Sequence, residues 1–269
     1  MGTDPATLSF GGDGWELSEY NGFNQLVSTL KDGVEVTYAY KPDGLRLSKT
    51  TNGATTTHIW DGQNIVAELE DESVAAVYLR GINLIKNLAD NTYYSFNAHG
   101  DVVQLTNSSG AVTKDYRYDA FGVEQDPDEG DANVWRYCGE YWDGETGTIY
   151  LRARYYDPVI GRFTQQDTTL ARRKDLFDPY GDYQETSLVG GVYKYVEKEG
   201  DEPSDKQKGK FVLNDPLSLN LYTYCYNSPM MFADPDGHFV ITLSALAVGA
   251  FVAGVSYVTY RYISNQIKK

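Results

Sequence analysis

The stretch that organises the chain is YLRARYYDPVIGRFTQQD, Tyr150–Asp167. Its tyrosines favour a strand, because each ring packs on a pleated face while the hydroxyl reaches solvent or a neighbour. Asp157-Pro158 is a turn initiator by residue type: the aspartate caps the following amides and the proline presets φ. Before this stretch lie aromatic-and-glycine repeats. After it come a charged insertion, a second motif at NDPLSLNLYTYCYNSPMMFADPDGH (Asn214–His238) and an apolar tail.

The repeats place a glycine four residues after an aromatic in YKPDG (Tyr40–Gly44), FNAHG (Phe96–Gly100) and YDAFG (Tyr118–Gly122). HIWDG (His58–Gly62) is a shortened copy, and YLRG (Tyr78–Gly81) a degenerate one. The leading aromatics at 40, 60, 96 and 118 recur with a period near 20 residues, the kind of regularity that marks repeat architectures. In one unit a strand such as VEVTYAY (Val34–Tyr40) alternates faces, a glycine turn reverses the chain, and Leu45–Thr51 and then Thr55–Trp60 return. One hairpin cannot bury its own face, so successive hairpins must stack into a continuous sheet. Residues 1–35 read as a lead-in, with a strand at Leu26–Leu30 and a turn at Asp32-Gly33.

Composition bounds the function. With 269 residues the chain can bury a sizeable core. Tyrosine outnumbers phenylalanine 23 to 10, and 26 glycines against nine prolines fit many tight turns rather than disorder. A formal charge of −15 opposes phosphate over most of the surface, so no nucleic-acid partner is expected. Cys138 and Cys225 set no disulfide framework and read as buried small hydrophobes. His58, His99 and His238 have no metal-ligand spacing, so neither a metal site nor a cofactor is expected. Met1–Gly14 is polar and glycine-rich, unlike a signal peptide.

Three words in fixed order, RARYYDPVIGRF, NLYTYCYNSP and DPDGH, resemble the core domain associated with Rhs, or YD-repeat, proteins, which include the C components of Tc toxins. The resemblance implies a mainly β chain whose YD-repeat hairpins stack into a spiral sheet, here a partial shell. It divides the chain into the lead-in, YD-like repeats at 36–133, a core domain at 134–238 with a charged insert at about 171–210, and an apolar C-terminal segment at 239–269. Within the insert, Lys194–Lys210 is mostly charged and reads as an exposed or disordered loop. The resemblance also implies a toxin-encapsulating role and a self-cleaving aspartyl protease that cuts just past the DPxG word. Its pattern of residues falls on Arg154, Asp167 and Asp234, with the cut at His238–Phe239. Asp157 and Asp215 are the reserve carboxylates. His238 stands where the well-known self-cleaving members carry leucine.

Hydrolysis of an amide needs one carboxylate to activate water and one protonated carboxyl to donate, and a neighbouring guanidinium biases which is which. The bland alternative makes both Asp-Pro pairs simple turns and Arg154 a surface ion pair. Phe239–Val258 has no charged residue over a length that spans a bilayer; a helix buried in the hollow of the sheet is the preferred reading. The expected partners are the chain's own C-terminal segment, further YD repeats or a shell-closing subunit, and through 239–258 a membrane. The expected location is secreted or at the cell surface, by an export route that the sequence leaves open. Two rival functions stand beside self-cleavage: a non-enzymatic adhesion module, and a degenerate toxin carrier with a membrane tail.

Overall fold

The computed structural model describes residues 7–11, 14–128, 130–168, 183–189, 192–197, 220–238 and 240–242. The protein is mainly β. Twelve strands follow one another across a single antiparallel sheet in chain order. They are β1 (Thr7–Gly11), β2 (Gly14–Tyr20), β3 (Leu26–Lys31), β4 (Val34–Tyr40), β5 (Arg46–Thr51), β6 (Ala54–Asp61), β7 (Asn64–Glu70), β8 (Ser73–Arg80), β9 (Leu84–Asn87), β10 (Thr92–Phe96), β11 (Val102–Thr106) and β12 (Val112–Asp115). The sheet therefore takes in strands β1 to β3 ahead of residue 36, within the stretch read above as a lead-in. A second antiparallel sheet holds β13 (Tyr141–Asp143), β14 (Thr148–Leu151), β15 (Arg154–Asp157) and β16 (Arg162–Phe163).

Two kinds of turn recur along the chain. Asp32-Gly33 and Asn52-Gly53 take positive φ at both positions, the two-residue geometry whose twist matches that of paired strands. The second kind is a five-residue turn held by an Asn or Asp side chain. Asn97 Oδ1 accepts the His99 and Asp101 amides at 2.9 and 3.0 Å. Asn21, Asn107 and Asp119 repeat the pattern, each accepting the amides two and four residues on. The expected turn glycines Gly44, Gly62, Gly100 and Gly122 all sit at positive φ. At Gly122 a side chain is also excluded by space, since a Cβ would lie 2.6 Å from the Tyr137 ring.

One face of the long sheet packs on the smaller sheet. Val36, Tyr38, Ile65, Tyr78, Val102 and Leu105 meet Trp135, Tyr141, Tyr150 and Tyr155 in one core. The other face of the smaller sheet buries Ile149, Leu151, Tyr156 and Phe163 against Tyr137, Tyr224 and Cys225. Burial on both faces explains why TIYL (Thr148–Leu151) is apolar almost without alternation.

The centre of the first core is charged. Arg46 and Asp143, both fully buried, form an ion pair, and Lys49 Nζ lies 3.0 Å from the other Asp143 oxygen. The Arg46 guanidinium lies 4.3 Å from the Tyr150 ring centroid and 4.8 Å from that of Tyr141. Burial opposes the charge on Asp143, but Arg46 and Lys49 outweigh it and hold the carboxyl below its ordinary range. His58 lies beside the pair and accepts from Arg46 Nε at 3.4 Å. Burial, reinforced by the Arg46 charge, drives its pKa well below 6.5.

Two expectations for the C-terminal half are corrected. Tyr183–Val189 (β17) and Val192–Glu197 (β18) form a two-stranded ribbon, so Lys194–Glu197 is strand rather than loop. Tyr193, Val192, Tyr195 and Val196 are strand-favouring residue types, and they override the charges that flank them. Ile241–Thr242 (β20) pairs antiparallel with Phe232–Ala233 (β19), so the apolar tail opens as strand, not helix. The remaining tail and Lys198–Lys210 lie outside the described residues. Among the described residues no helix is long and apolar enough to cross a membrane.

Two stability measurements test the buried charges. Asp143→Ala strands Arg46 without its carboxylate and leaves Lys49 with Glu145 alone, and urea unfolding is expected to lose about 3–5 kcal/mol, whereas Arg46→Met/Asp143→Leu loses much less. A double-variant loss equal to the sum of the two single-variant losses would mean that the two residues are not coupled. For pH, His58 has a depressed folded pKa, so its contribution is present above the unfolded value of about 6.5 and is lost as pH falls below it. Asp143 adds a second loss below the unfolded carboxylate value of about 3.9. His58→Gln is expected to flatten the first phase while leaving the second in place.

Candidate active site

Strand β15 carries RYYD, and its period of two separates the roles of neighbouring residues. Tyr155 faces the long sheet; Arg154 and Tyr156 face the other way. Arg154 is buried, with its guanidinium centred 3.5 Å from the Phe163 ring centroid. Its Nη2 lies 3.3 Å from Asp167 Oδ2 and 3.3 Å from Asp234 Oδ2. Its Nε donates to the Gly237 carbonyl, and its Nη1 to the Leu221 carbonyl at 3.2 Å. One guanidinium thus gathers two buried carboxylates and two main-chain oxygens. Burial lowers the pKa of Arg154, while Asp167 and Asp234 push it back up.

The last motif is threaded past this arginine by main-chain bonds. Arg162 forms a single antiparallel bridge with Thr223, Phe163 N donates to the Tyr222 carbonyl at 3.0 Å, and Asp167 N donates to that of Leu221 at 2.9 Å. NLYTY therefore docks beside the GRF strand by one bridge rather than as a full ladder. The DPDG turn then closes on the link between β14 and β15. Ala153 N donates to the Asp236 carbonyl at 3.2 Å, and Arg152 Nη1 donates to that of Pro235 at 2.7 Å. Gly237 is required here, for it has φ of +78° and a Cβ would fall 2.5 Å from the Leu151 carbonyl oxygen. His238, half-buried, places Nδ1 3.2 Å from Asp167 Oδ1. A cleft of about 310 Å³, lined in part by Asn24, Asp43, Gln63, Arg152, Asp236 and His238, opens beside it.

Arg154, Asp167, Asp234 and His238 are thus brought together, although 80 residues of chain separate Arg154 from Asp234. Asp157 is at the far end of β15, where its Oδ1 accepts the Val159 amide at 2.8 Å and shapes the turn. Asp215 and Phe239 lie outside the described residues. The sequence reading missed the Leu221 and Gly237 carbonyls that bind Arg154, and no side-chain pattern could have announced them. Arg152, which ties Glu140 to Pro235, was visible as the first arginine of RARYYD.

No protein-family profile matches the chain. Over 241 residues it is 31% identical to the tRNA(Glu)-specific nuclease WapA of Bacillus subtilis subsp. natto, covering 85% of this chain and 9% of that protein. It is 24% identical over 203 residues to the double-stranded DNA deaminase toxin A of Burkholderia cenocepacia, covering 60% of this chain and 14% of that one. Its fold is similar to the crystal structure of TcdB2-TccC3-TEV, with a TM-score of 0.51 and 17% identity over 82% of this chain and 10% of that one. In sequence it is thus similar to parts of a tRNA nuclease and of a double-stranded DNA deaminase toxin. The chain spans about a tenth of the length of the WapA relatives it matches.

The close approach at Gly237 can be tested directly. Gly237→Ala puts a methyl against the Leu151 carbonyl at a backbone angle that L-residues resist, and is expected to cost about 1–3 kcal/mol. Amide exchange at Ala153 should quicken while that of β4 and β5 stays slow. Unchanged protection at Ala153 would mean that the turn has room to spare.

Proposed function

We propose that this chain is the Rhs-associated core and adjoining YD repeats of a toxin-delivery protein, and that the core cuts its own backbone between His238 and Phe239. The observation that carries the reading is the pairing of Asp167 and Asp234 on one buried guanidinium, with the Gly237 carbonyl held by the same group. That carbonyl belongs to the residue just before His238, so Arg154 fixes the segment that must be cut. Asp167, whose other oxygen faces the His238 ring, is the base.

In this reading water reaches the site through the cleft beside His238. Asp167 takes a proton as the water oxygen attacks the His238 carbonyl carbon, giving a tetrahedral intermediate. Protonated Asp234 donates to the Phe239 nitrogen, the C–N bond breaks, and a new carboxylate and a new amine result. The reading requires one of the two carboxyls to carry a proton while the other is ionised, the division of roles that amide hydrolysis needs. The substrate is already in place, so the entropy of bringing it there has been met in folding. The partners that follow from this are the released segment itself and further YD repeats or a shell-closing subunit, with the whole exported to the cell surface or beyond.

Denaturing mass spectrometry of the purified protein is the test. Wild type is expected to give two species, residues 1–238 and 239–269. Asp167→Asn keeps the shape of the side chain but cannot exchange a proton, and should slow cleavage by at least about 10²-fold. Arg154→Ala should do the same with the long sheet still folded by circular dichroism. A single uncut mass in wild type after days at neutral and mildly acidic pH would make the protein a scaffold, in line with the adhesion reading.

A further inference from the structure

A second cluster of chemistry-bearing side chains lies away from Arg154, where the FNAHG turn meets the link before β13. His99 Nδ1 is 2.7 Å from Asp101 Oδ1 and 3.8 Å from Cys138 Sγ. The three ligand-type atoms all lie within 4.8 Å of one another, and the His99 and Asp101 side chains are only 9% and 8% exposed. This is not a nucleophile–base–carboxylate relay, because such a relay uses the two ring nitrogens for different partners. Here the thiol and the carboxylate face the same nitrogen.

The other nitrogen fixes the tautomer. His99 Nε2 is 2.8 Å from the Pro229 carbonyl oxygen, which can only accept, so Nε2 carries a hydrogen. In the neutral ring the Nδ1 lone pair then points at Asp101 Oδ1. Two acceptors at 2.7 Å repel unless a proton or a metal cation lies between them. A histidine that donates its far N–H to a backbone carbonyl, beside a carboxylate that is itself held, is the usual outer arrangement of a metal site. Asp101 is so held: Oδ1 also accepts the Cys138 amide at 2.9 Å, and Oδ2 accepts Asn97 Nδ2 at 2.8 Å. The backbone makes the convergence: Cys138 adopts φ of 53°, a left-handed conformation that few non-glycine residues take.

We propose that His99 Nδ1, Asp101 Oδ1 and Cys138 Sγ bind a divalent transition-metal ion of Zn²⁺ type, with one position left for water. Thiolate, imidazole and carboxylate together suit a borderline-soft tetrahedral ion rather than Mg²⁺ or Ca²⁺. Ligands about 2.0–2.3 Å from such an ion sit about 3.3–3.8 Å from one another, so the nitrogen–sulfur separation already fits. A small rotation of the Asp101 carboxylate opens the rest. The ion would join three remote parts of the chain: the FNAHG turn, the Tyr137–Gly139 turn and, through the Nε2–H bond, Pro229 of the last motif. This site is independent of self-cleavage and stands or falls apart from it.

The test uses the full chain, freed of metal by a chelator and titrated with Co²⁺ as a spectroscopic probe. One ion per chain should bind with a near-ultraviolet thiolate-to-cobalt band, which Zn²⁺ displaces. Cys138→Ala should abolish the band, and His99→Ala or Asp101→Asn should weaken binding at least about 10-fold. Should those variants fail to fold, the wild type still decides: Zn²⁺ should protect Cys138 from alkylation, with peptide mapping to separate it from Cys225. No thiolate band up to millimolar Co²⁺, a band that survives Cys138→Ala, or alkylation of Cys138 indifferent to Zn²⁺ would overturn the proposal in favour of a proton shared by His99 and Asp101.

Discussion

A guanidinium with no access to water sits at the contact of the two sheets, and it sets the terms for the rest. Arg46 belongs to the long sheet and Asp143 to the short one. Desolvating either charge costs several kcal/mol, and their attraction only offsets that when both are in place with their remaining bonds made. Tyrosine makes one of them, the Tyr155 hydroxyl accepting from Arg46 Nη1 at 3.3 Å, while Arg46 Nη2 has no hydrogen-bond partner among the described residues. The Tyr150 hydroxyl accepts the Arg46 amide at 2.8 Å, and the rings of Tyr38, Tyr141, Tyr150 and Tyr155 surround the guanidinium. Tyr78 and Tyr141 both donate to the neighbouring Glu68, at 2.5 and 2.6 Å. Phenylalanine would fill the same space and leave Glu68 buried without donors, a reason for the excess of tyrosine over phenylalanine. Such a pair adds little net stability; it makes every other docking of the sheets worse.

Much of this was legible in the sequence, and what was not has physical causes. The recurring glycines lie in turns as their spacing suggests, because positive φ leaves a residue-level mark. The truer mark of the five-residue turn is the Asn or Asp three places before it, as in Asn107–Gly110, which an aromatic-led pattern passes over. Arg154, Asp167 and Asp234 could be picked out because three words fixed their order. Their geometry could not, because it hangs on main-chain bonds from Leu221 and Gly237 that any residue type can make. Arg46 and Asp143 left no mark either, since a charged residue at the end of a strand reads as solvated until its partner is known. The same holds for His99, Asp101 and Cys138: judging histidines by their spacing fails when the third ligand is brought in by the fold.

Register joins the charged core to the candidate site. Tyr155 lies 3.2 Å, hydroxyl to hydroxyl, from Tyr40 of the long sheet, while the preceding residue, Arg154, points to Asp167 and Asp234. A one-residue slip of β15 would exchange the two faces. It would put a guanidinium among the core rings and a tyrosine between two carboxylates. Leu151↔Arg154 and Ile149↔Tyr156 pair across β14 and β15, and Tyr141↔Tyr150 pairs across β13 and β14. The strand that bears Asp143 is thus two steps from the one that bears Arg154. Seating Arg46 on Asp143 therefore fixes where Arg154 points.

The last motif obeys a different constraint. It is held against β14 and β15 by backbone: Gly237 packs where no Cβ fits, its carbonyl takes Arg154 Nε, and the Asp236 carbonyl takes the Ala153 amide. Side chains add to that grip through Asp234 on Arg154, and through Tyr224, stacked on Tyr156, and Cys225 in the second core. A segment gripped by its main chain depends little for its place on which residue follows the glycine, so histidine is accommodated at 238. What His238 adds is an imidazole nitrogen 3.2 Å from Asp167. The path of the chain through the site is thus set by Gly237 and Arg154, and its local polarity by His238.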